Sequence, residues 1–169
     1  LLIPSHDALP PPPAATLRRL AKLIVALTFF TVLSGAFVAG LDAGMAYNTF
    51  PLMEGHLVPE AMFDMSPWGM NFFENIATVQ FDHRVLAITT LITILLLWLR
   101  GRSRAVSGRG AQALHALSIM ALIQVGLGVS TLLLFVPVTL AVIHQAGALV
   151  LFTLALWTAY ELRSPRAQK

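Results

Sequence analysis

Gln80-Phe-Asp-His-Arg84 places four polar side chains directly before a long apolar run. That run, residues 85–99, has 15 residues and carries no charge. A helix needs roughly 20 apolar residues to cross a bilayer, so the spanning helix has to take its first turns from the polar stretch. His83 is therefore expected inside the membrane, where an ionisable residue is expensive and generally has both a function and a partner.

The composition is that of an integral membrane protein. Of the 169 residues, 57% are hydrophobic and only 11% are charged, whereas soluble domains carry about 25% charged residues. The net charge is +3, but Lys and Arg occur in blocks between apolar spans, so no nucleic-acid partner is expected. The chain has no cysteine, which excludes thiolate haem ligation and cysteine-based metal sites.

Hydropathy and turn residues predict an all-α protein with four transmembrane helices. The expected spans are about 17–40, 74–99, 111–136 and 138–162, with an outer loop over residues 41–73. A Pro-rich linker at 1–16 precedes this bundle at 17–163, and a basic tail at 164–169 follows it. The chain starts at Leu1 without a signal-peptide pattern, so a processed or partial chain is expected.

The basic residues predict the orientation of the bundle. Ten of the eleven Lys and Arg residues flank the same side, and the exception is Arg84. By the positive-inside rule this is the cytoplasmic or matrix side, and both the N- and C-termini lie on it. Because the connections are short, consecutive helices are expected to be neighbours in an antiparallel up-down four-helix bundle with the acidic loop outside.

Two histidines are expected at the same height in the membrane. His83 lies 17 residues before Arg100, and His144 lies 19 residues before Arg163, which places them about 25 and 28 Å above the inner surface. Such a pair can coordinate one cofactor from opposite sides. His115 lies only 6 residues from Arg109 and is expected to be too low by roughly 15 to 20 Å.

A haem fits two level histidines, because six-coordinate low-spin iron takes an axial ligand on each face. Small residues would make room for the flat macrocycle, although each taken singly is more simply explained by close helix packing. These residues are Gly147 and Ala148 near His144, Ala87 and Thr90 near His83, Gly126, Gly128 and Thr131 on the third helix, and Ser34 and Gly35 on the first.

Alternatives remain open for all three polar residues. The histidines could simply be hydrogen-bonded across helices, for example His83 to Asp82 or Gln145, and zinc is disfavoured because it prefers four ligands. Arg84 could bind a haem propionate through its guanidinium. Otherwise it could form a local ion pair with Asp82 or Asp42.

Several long motifs resemble the heme A synthase family, specifically the C-terminal half of the mitochondrial and alphaproteobacterial type. The likeness runs from about Leu17 to Arg163. The motifs are Gly35-Ala-Phe-Val-Ala-Gly-Leu-Asp-Ala-Gly44, Tyr47-Asn-Thr-Phe-Pro51, Phe73-Glu-Asn75, Val79-Gln-Phe-Asp-His-Arg84, Gln124-Val-Gly-Leu-Gly-Val-Ser-Thr131 and His144-Gln-Ala-Gly147.

The resemblance implies an oxidoreductase that converts a methyl group of haem O to the formyl group of haem A for cytochrome c oxidase assembly. It implies a haem b whose iron is ligated by His83 and His144. No catalytic residue is expected in this half, because the position where the other half has a glutamate is Gln80, and an amide is neither an acid nor a base. This half would then serve structure or electron transfer.

The resemblance also implies partners and a location. The partners would be a homologous N-terminal four-helix half carrying the haem O site, an electron donor such as a ferredoxin, haem O synthase and cytochrome c oxidase assembly factors, with homo-oligomers left open. The membrane would be the mitochondrial inner membrane or the bacterial cytoplasmic membrane. The alternatives are a stand-alone bis-histidine b-type cytochrome anchor and a structural assembly subunit without haem.

Overall fold

The computed structural model describes residues 15–163. The linker predicted at 1–16 therefore lies outside the described residues except for its last two positions, which belong to the first helix, and the tail at 164–169 lies outside altogether. Within the described part, all regular secondary structure is helical. The helices are α1 (Ala15–Gly40), α2 (Ala43–Ala46), α3 (Asn71–Glu74), α4 (Ile76–Ser103), α5 (Gly108–Leu133) and α6 (Val138–Glu161).

Four of these helices are long and apolar enough to cross a membrane, namely α1, α4, α5 and α6. This confirms the predicted all-α chain with four spans. The polar stretch 80–84 lies inside α4, as its short apolar run requires. The third helix covers residues 108–133 rather than the expected 111–136, because Phe135 and Val136 adopt positive φ angles of 60° and 55° and leave the helix.

The four long helices form a ring in which each packs against two others. Helix α1 contacts α4 and α6, and α5 contacts the same two helices. Consequently α4 and α6, which carry His83 and His144, occupy opposite corners of the bundle. Any group held by both histidines would cross the interior of the bundle between α1 and α5.

The buried apolar core fills only one half of the bundle. Its members come from the N-terminal parts of α1 and α5, from the C-terminal parts of α4 and α6, and from the residue that follows α6. They are Leu17, Ala21, Ile24, Ile94, Leu97, Leu114, Leu117, Ala121, Leu151, Ala155 and Leu162. Neither His83 nor His144 belongs to this cluster, so the half that contains them is built differently.

The predicted outer loop contains α2, α3 and a 3₁₀ turn at Trp68–Met70. Asn71 is fully buried and bonds the backbone of Met65 and Trp68 at 2.8 to 3.1 Å. Asn75 caps α4, because its side chain accepts a 2.9 Å hydrogen bond from the Thr78 amide. The loop is therefore an organised unit attached to the start of α4.

Candidate functional site

His83 lies seven residues after the start of α4 and is half-buried. Its Nδ1 is 2.9 Å from Ser34 Oγ on α1, and the same hydroxyl donates to the Thr31 carbonyl at 2.8 Å. The ring rests on Gly35, where an added Cβ would come within 3.0 Å of His83 Cε1. Helix α1 thus supplies both a polar partner and a close contact for this imidazole.

His144 lies six residues after the start of α6 and is also half-buried. Its Nδ1 is 3.1 Å from Gln124 Nε2 on α5, and this nitrogen also donates to the His144 carbonyl at 2.8 Å. The ring rests on Gly128, where a Cβ would come within 2.9 Å of His144 Cε1. Helix α5 therefore plays the same part for His144 that α1 plays for His83.

In both rings the Nδ1 atom is engaged by a neighbouring helix, and within residues 15–163 neither Nε2 makes a hydrogen bond. Ligating histidines typically use one ring nitrogen for the metal while a neighbouring group engages the other and fixes the ring orientation. The arrangement leaves Nε2 of each imidazole as the candidate donor. Asp82 and Gln145, the two hydrogen-bond partners that the sequence suggested for His83, do not bond it; Ser34 does.

His115 is far from this pair. Its exposed ring packs edge-on against Trp98 with centroids 6.0 Å apart, and its Nδ1 lies 2.6 Å from the Ala111 carbonyl. Trp98 follows His83 by 15 residues on α4, which is about 22 Å along the helix. His56 pairs with Glu60 in the outer loop at 4.0 Å, and His6 lies outside the described residues.

The predicted small residues do not behave alike. Gly35 and Gly128 face the two rings, whereas Gly147 faces the Gln124 side chain and Gly126 is exposed with nothing near its Cβ position. Sequence reasoning assigned no role to Gln124. The available signals were that Gln124 opens one of the motifs that carry the family resemblance, and that Gln124 and Gly128 are four residues apart and so share one face of α5.

Arg84 holds the outer loop. Its Nη2 donates to the Tyr47 carbonyl at 2.9 Å, and its Nη1 makes longer contacts of 3.4 and 3.3 Å to the carbonyls of Pro51 and Leu52. The local ion pair with Asp82 or Asp42 is absent, since the ion pairs in the part of the chain that the structure describes are His56–Glu60 and Arg109–Glu161.

Gln80 lies one turn before Arg84, and both side chains donate to the same loop carbonyl. Its Nε2 reaches Tyr47 O at 2.9 Å, and the residue is 2% exposed. Gln80 is thus an anchor of the loop. Arg84 Nε is buried and has no hydrogen-bond partner among the described residues.

No group of three or more His, Asp or Glu side chains that could hold a metal ion occurs in residues 15–163, which contain no cysteine. A haem iron does not need such a group, because the porphyrin supplies four ligands and the protein adds only the axial ones. The described donor set, two imidazoles on opposite helices, is of the type that bis-histidine cytochromes use.

The chain matches the family model COX15-CtaA, described as a cytochrome oxidase assembly protein, over residues 2–156. A heme A synthase of Nitrosospira multiformis is 54% identical over 143 residues, which are 85% of this chain and 40% of that protein. The human heme A synthase COX15 is 48% identical over 163 residues, or 96% of this chain and 40% of the relative. The COX15 protein of Arabidopsis thaliana is 48% identical over 152 residues, or 90% and 33%.

No solved structure matches the chain. The chain spans about 40% of the length of the bacterial and human relatives that it matches. The family model covers far more than half of this chain, and the likeness to bacterial, human and plant proteins extends over nearly all of it. The chain therefore belongs to the COX15-CtaA family of cytochrome oxidase assembly proteins.

Proposed function

We propose that this bundle holds a haem b between His83 and His144, as the C-terminal half of a heme A synthase. The observation that carries the proposal is the matched seating of the two imidazoles. Each sits on a glycine of the neighbouring helix, each has its Nδ1 engaged there, and each leaves Nε2 available. Because α4 and α6 are diagonal in the ring of helices, the two histidines would hold a haem in the interior from opposite sides.

The surroundings suit a macrocycle. The half of the bundle that contains the histidines lacks the clustered Leu and Ile side chains that fill the other half. Its interior positions are instead occupied by small and polar residues such as Gly35, Gly128 and the hydrogen-bonded pair Thr31 and Thr90. A haem bound there would supply a one-electron redox centre with both axial positions taken.

Arg84 supports the same reading at the outer edge. Its buried Nε–H has no partner, while its terminal nitrogens hold the loop. A haem propionate is a carboxylate, and guanidinium groups bind carboxylates through charge-assisted hydrogen bonds. Arg84 would then connect the haem edge to the segment 47–52, so that the loop closes over the cofactor.

For the whole enzyme we propose oxidation of the haem O methyl group to the formyl group of haem A, for cytochrome c oxidase assembly. The described half would orient its haem and exclude water from it. The methyl group of haem O that reacts would lie in a homologous N-terminal half. Gln80, a neutral loop anchor, offers no acid or base for that step. The electron donor would be a ferredoxin-like protein, and the location the mitochondrial inner or bacterial cytoplasmic membrane.

The proposed topology is an antiparallel up-down bundle with both termini on the inner side. Contacts between α1 and α4 support it, because later residues of α1 meet earlier residues of α4, from Thr31 with Thr90 to Ser34 with His83. Contacts between α5 and α6 follow the same order, from Arg109 with Glu161 to Gln124 with His144. The basic residues of the α4–α5 connection then share the inner side with the C-terminus.

The test is the absorbance spectrum of the purified chain supplied with haem. We expect a low-spin bis-imidazole spectrum that is lost in His83→Ala and in His144→Ala, because one missing axial ligand leaves the iron five-coordinate. His115→Ala is the matched control and should keep the spectrum. Loss of the spectrum in His115→Ala with a silent His144→Ala, or no haem binding at all, would refute the proposed site.

A further inference from the structure

A groove lies on the outside of the bundle, where the C-terminal part of α1 meets the N-terminal part of α4 next to α3. Its volume is about 300 Å³, and the described residues that line it all belong to these three helices. The groove is therefore separate from the interior between α1 and α5. Phe30 and Phe73 in its wall are 54% and 55% exposed, so the groove opens to the surroundings of the bundle. The phenylalanines of the wall are Phe30, Phe37, Phe72 and Phe73.

Asp82 is the polar residue of this groove whose side chain has no partner in the described part of the chain. The other polar residue is Ser34, whose hydroxyl donates to the Thr31 carbonyl and lies 2.9 Å from His83 Nδ1. Asp82 is half-buried, and it makes no hydrogen bond or ion pair within residues 15–163. A carboxylate inside a membrane span is costly unless a partner compensates it. A cation that reaches Asp82 would therefore be bound favourably.

No basic side chain among the described residues pairs with Asp82. Residues 23–83 contain neither Lys nor Arg. Arg84 is two positions away, but its terminal nitrogens contact carbonyls of the outer loop. The other ten Lys and Arg residues lie at the inner end of the bundle in the proposed topology. A counter-ion for Asp82 therefore has to come from outside this chain.

The depth of Asp82 places it within reach of lipid headgroups. It lies 18 residues before Arg100, which is about 27 Å above the inner surface. The hydrocarbon core of a bilayer is about 30 Å thick, so Asp82 is close to its outer boundary. A groove of about 300 Å³ is at the small end of ligand pockets. This size suits one headgroup better than a partner helix, which is about 10 to 12 Å across.

The charge around the groove selects among headgroups. The outer loop, residues 41–73, carries four acidic residues and no Lys or Arg, so it repels anionic lipids and attracts cationic groups. Phenyl rings such as those in the groove wall also attract cations. A primary ammonium can in addition donate hydrogen bonds to the carboxylate, as a lysine does. The trimethylammonium of choline has no N–H with which to do this.

We propose that this groove binds the headgroup of a phospholipid that carries a primary ammonium, as phosphatidylethanolamine does, and that the ammonium pairs with Asp82. The inference rests on the proposed topology and is independent of the proposed haem. Because Ser34 both lines the groove and contacts His83, the bound headgroup would lie beside the support of that imidazole. The outer leaflet would thus supply the charge that the chain itself does not.

The first experiment titrates the purified full chain with phosphatidylethanolamine or phosphatidylcholine of identical acyl chains, followed by native mass spectrometry. We expect one phosphatidylethanolamine to bind about tenfold more tightly than phosphatidylcholine, which is near the effect of a hydrogen bond to a charged group. The nearly isosteric Asp82→Asn should lose this preference. Equal affinities of the wild type for the two lipids would overturn the proposal.

Asp64→Asn is the matched control. It removes the same charge from the same side of the bundle, but Asp64 is exposed in the outer loop and does not line the groove. The lipid preference should therefore be retained. Its loss in Asp64→Asn to the same degree as in Asp82→Asn would mean that the overall charge of the outer side selects the lipid, and the groove would not be the site.

The second experiment identifies the partner of Asp82 in native membranes. A membrane-permeant carbodiimide condenses a carboxylate with a nearby primary amine, with loss of water, and mass spectrometry of the digested chain locates the new amide. We expect Asp82 to be joined to phosphatidylethanolamine. An amide between Asp82 and a lysine of another protein would show that a protein partner occupies the groove, and would refute the lipid site.

Both experiments are run on the chain with and without bound haem, which separates this inference from the proposed function. The lipid preference should be the same in both forms, because the groove lies outside the interior between the histidines. A chain that prefers phosphatidylethanolamine but binds no haem would refute the haem site alone. A chain with a bis-imidazole spectrum and no lipid preference would refute the lipid site alone.

Discussion

At the scale of single residues, glycines decide whether the imidazoles can take their places. Gly128 contacts the His144 ring so closely that any side chain there would meet it, whereas Gly126, two positions away on the same helix, faces open space. The two positions have the same residue type and the same backbone geometry. They therefore separate the effect of the ring contact from that of helix propensity.

We expect Gly128→Ala to weaken haem binding roughly tenfold, which corresponds to about 1.4 kcal/mol and lies within the cost of overpacking. The reason is that the new Cβ would lie 2.9 Å from His144 Cε1, so the ring has to shift. The measurement is a haem titration followed by Soret absorbance. Gly126→Ala should bind haem as the wild type does; similar losses in both variants would show that the ring contact is unimportant.

Sequence reasoning succeeded at this scale where only counting along a helix was needed. The separation of His115 from His83 follows from the rise per residue, and the contact of His115 with Trp98 agrees with it. The roles of Ser34 and Gln124 could not be predicted in the same way. They depend on how α1 and α5 are rotated about their axes, and a single polar residue in an apolar helix does not reveal that rotation.

At the scale of elements, the start of α4 joins the site to the outer loop. Gln80 and Arg84 lie one turn apart on α4 and both donate to Tyr47 O, while His83 faces α1 between them. The partners of Arg84 are carbonyls of an irregular segment. Neither hydropathy nor periodicity predicts where such carbonyls point. For this reason the sequence left a local ion pair open as one alternative for Arg84, and the structure does not contain that pair.

We expect Arg84→Met to release the segment 47–52 and to speed its cleavage by an added protease about tenfold. The variant loses the contacts to Tyr47, Pro51 and Leu52, and a tenfold change corresponds to about 1.4 kcal/mol, near the value of one hydrogen bond to a charged group. Limited proteolysis with mass spectrometry measures the rate. In Arg104→Met, a change in the exposed α4–α5 connection, the segment 47–52 should be cleaved at the wild-type rate. A wild-type cleavage rate in Arg84→Met would exclude the anchoring role.

At the scale of the whole molecule, the orientation in the membrane can be tested cleanly because the chain has no cysteine. We expect Ser103→Cys to react with a membrane-impermeant maleimide only from the inner side. Leu57→Cys, at a loop position that is 76% exposed, should react only from the outer side. The reason is the concentration of Lys and Arg on one side of the bundle. Labelling of both cysteines from one side would contradict the proposed topology.

The interior of the bundle also bears on the role proposed for this chain. One half of its interior is filled by apolar side chains and the other is committed to two histidines with their partners. A haem bound as proposed would have both axial positions taken, so this chain would then offer no open iron site at which a substrate haem could react. The chain also spans about 40% of the matched bacterial and human relatives, so a second bundle of similar size can be accommodated in such proteins.

The last prediction compares the chain expressed alone with the chain coexpressed with a second four-helix half. Expressed alone in a host that makes haem O, the 169-residue chain should bind haem b and yield no haem A, because Gln80 provides neither acid nor base for methyl oxidation. Coexpression with a homologous four-helix half that carries a glutamate at the corresponding position should restore haem A, measured by chromatography of extracted haems. In the coexpressed pair, Gln80→Ala should keep turnover within a few-fold, since it removes one neutral hydrogen bond worth about 1 kcal/mol. Haem A formed by the chain alone would mean that the site between His83 and His144 binds the substrate itself.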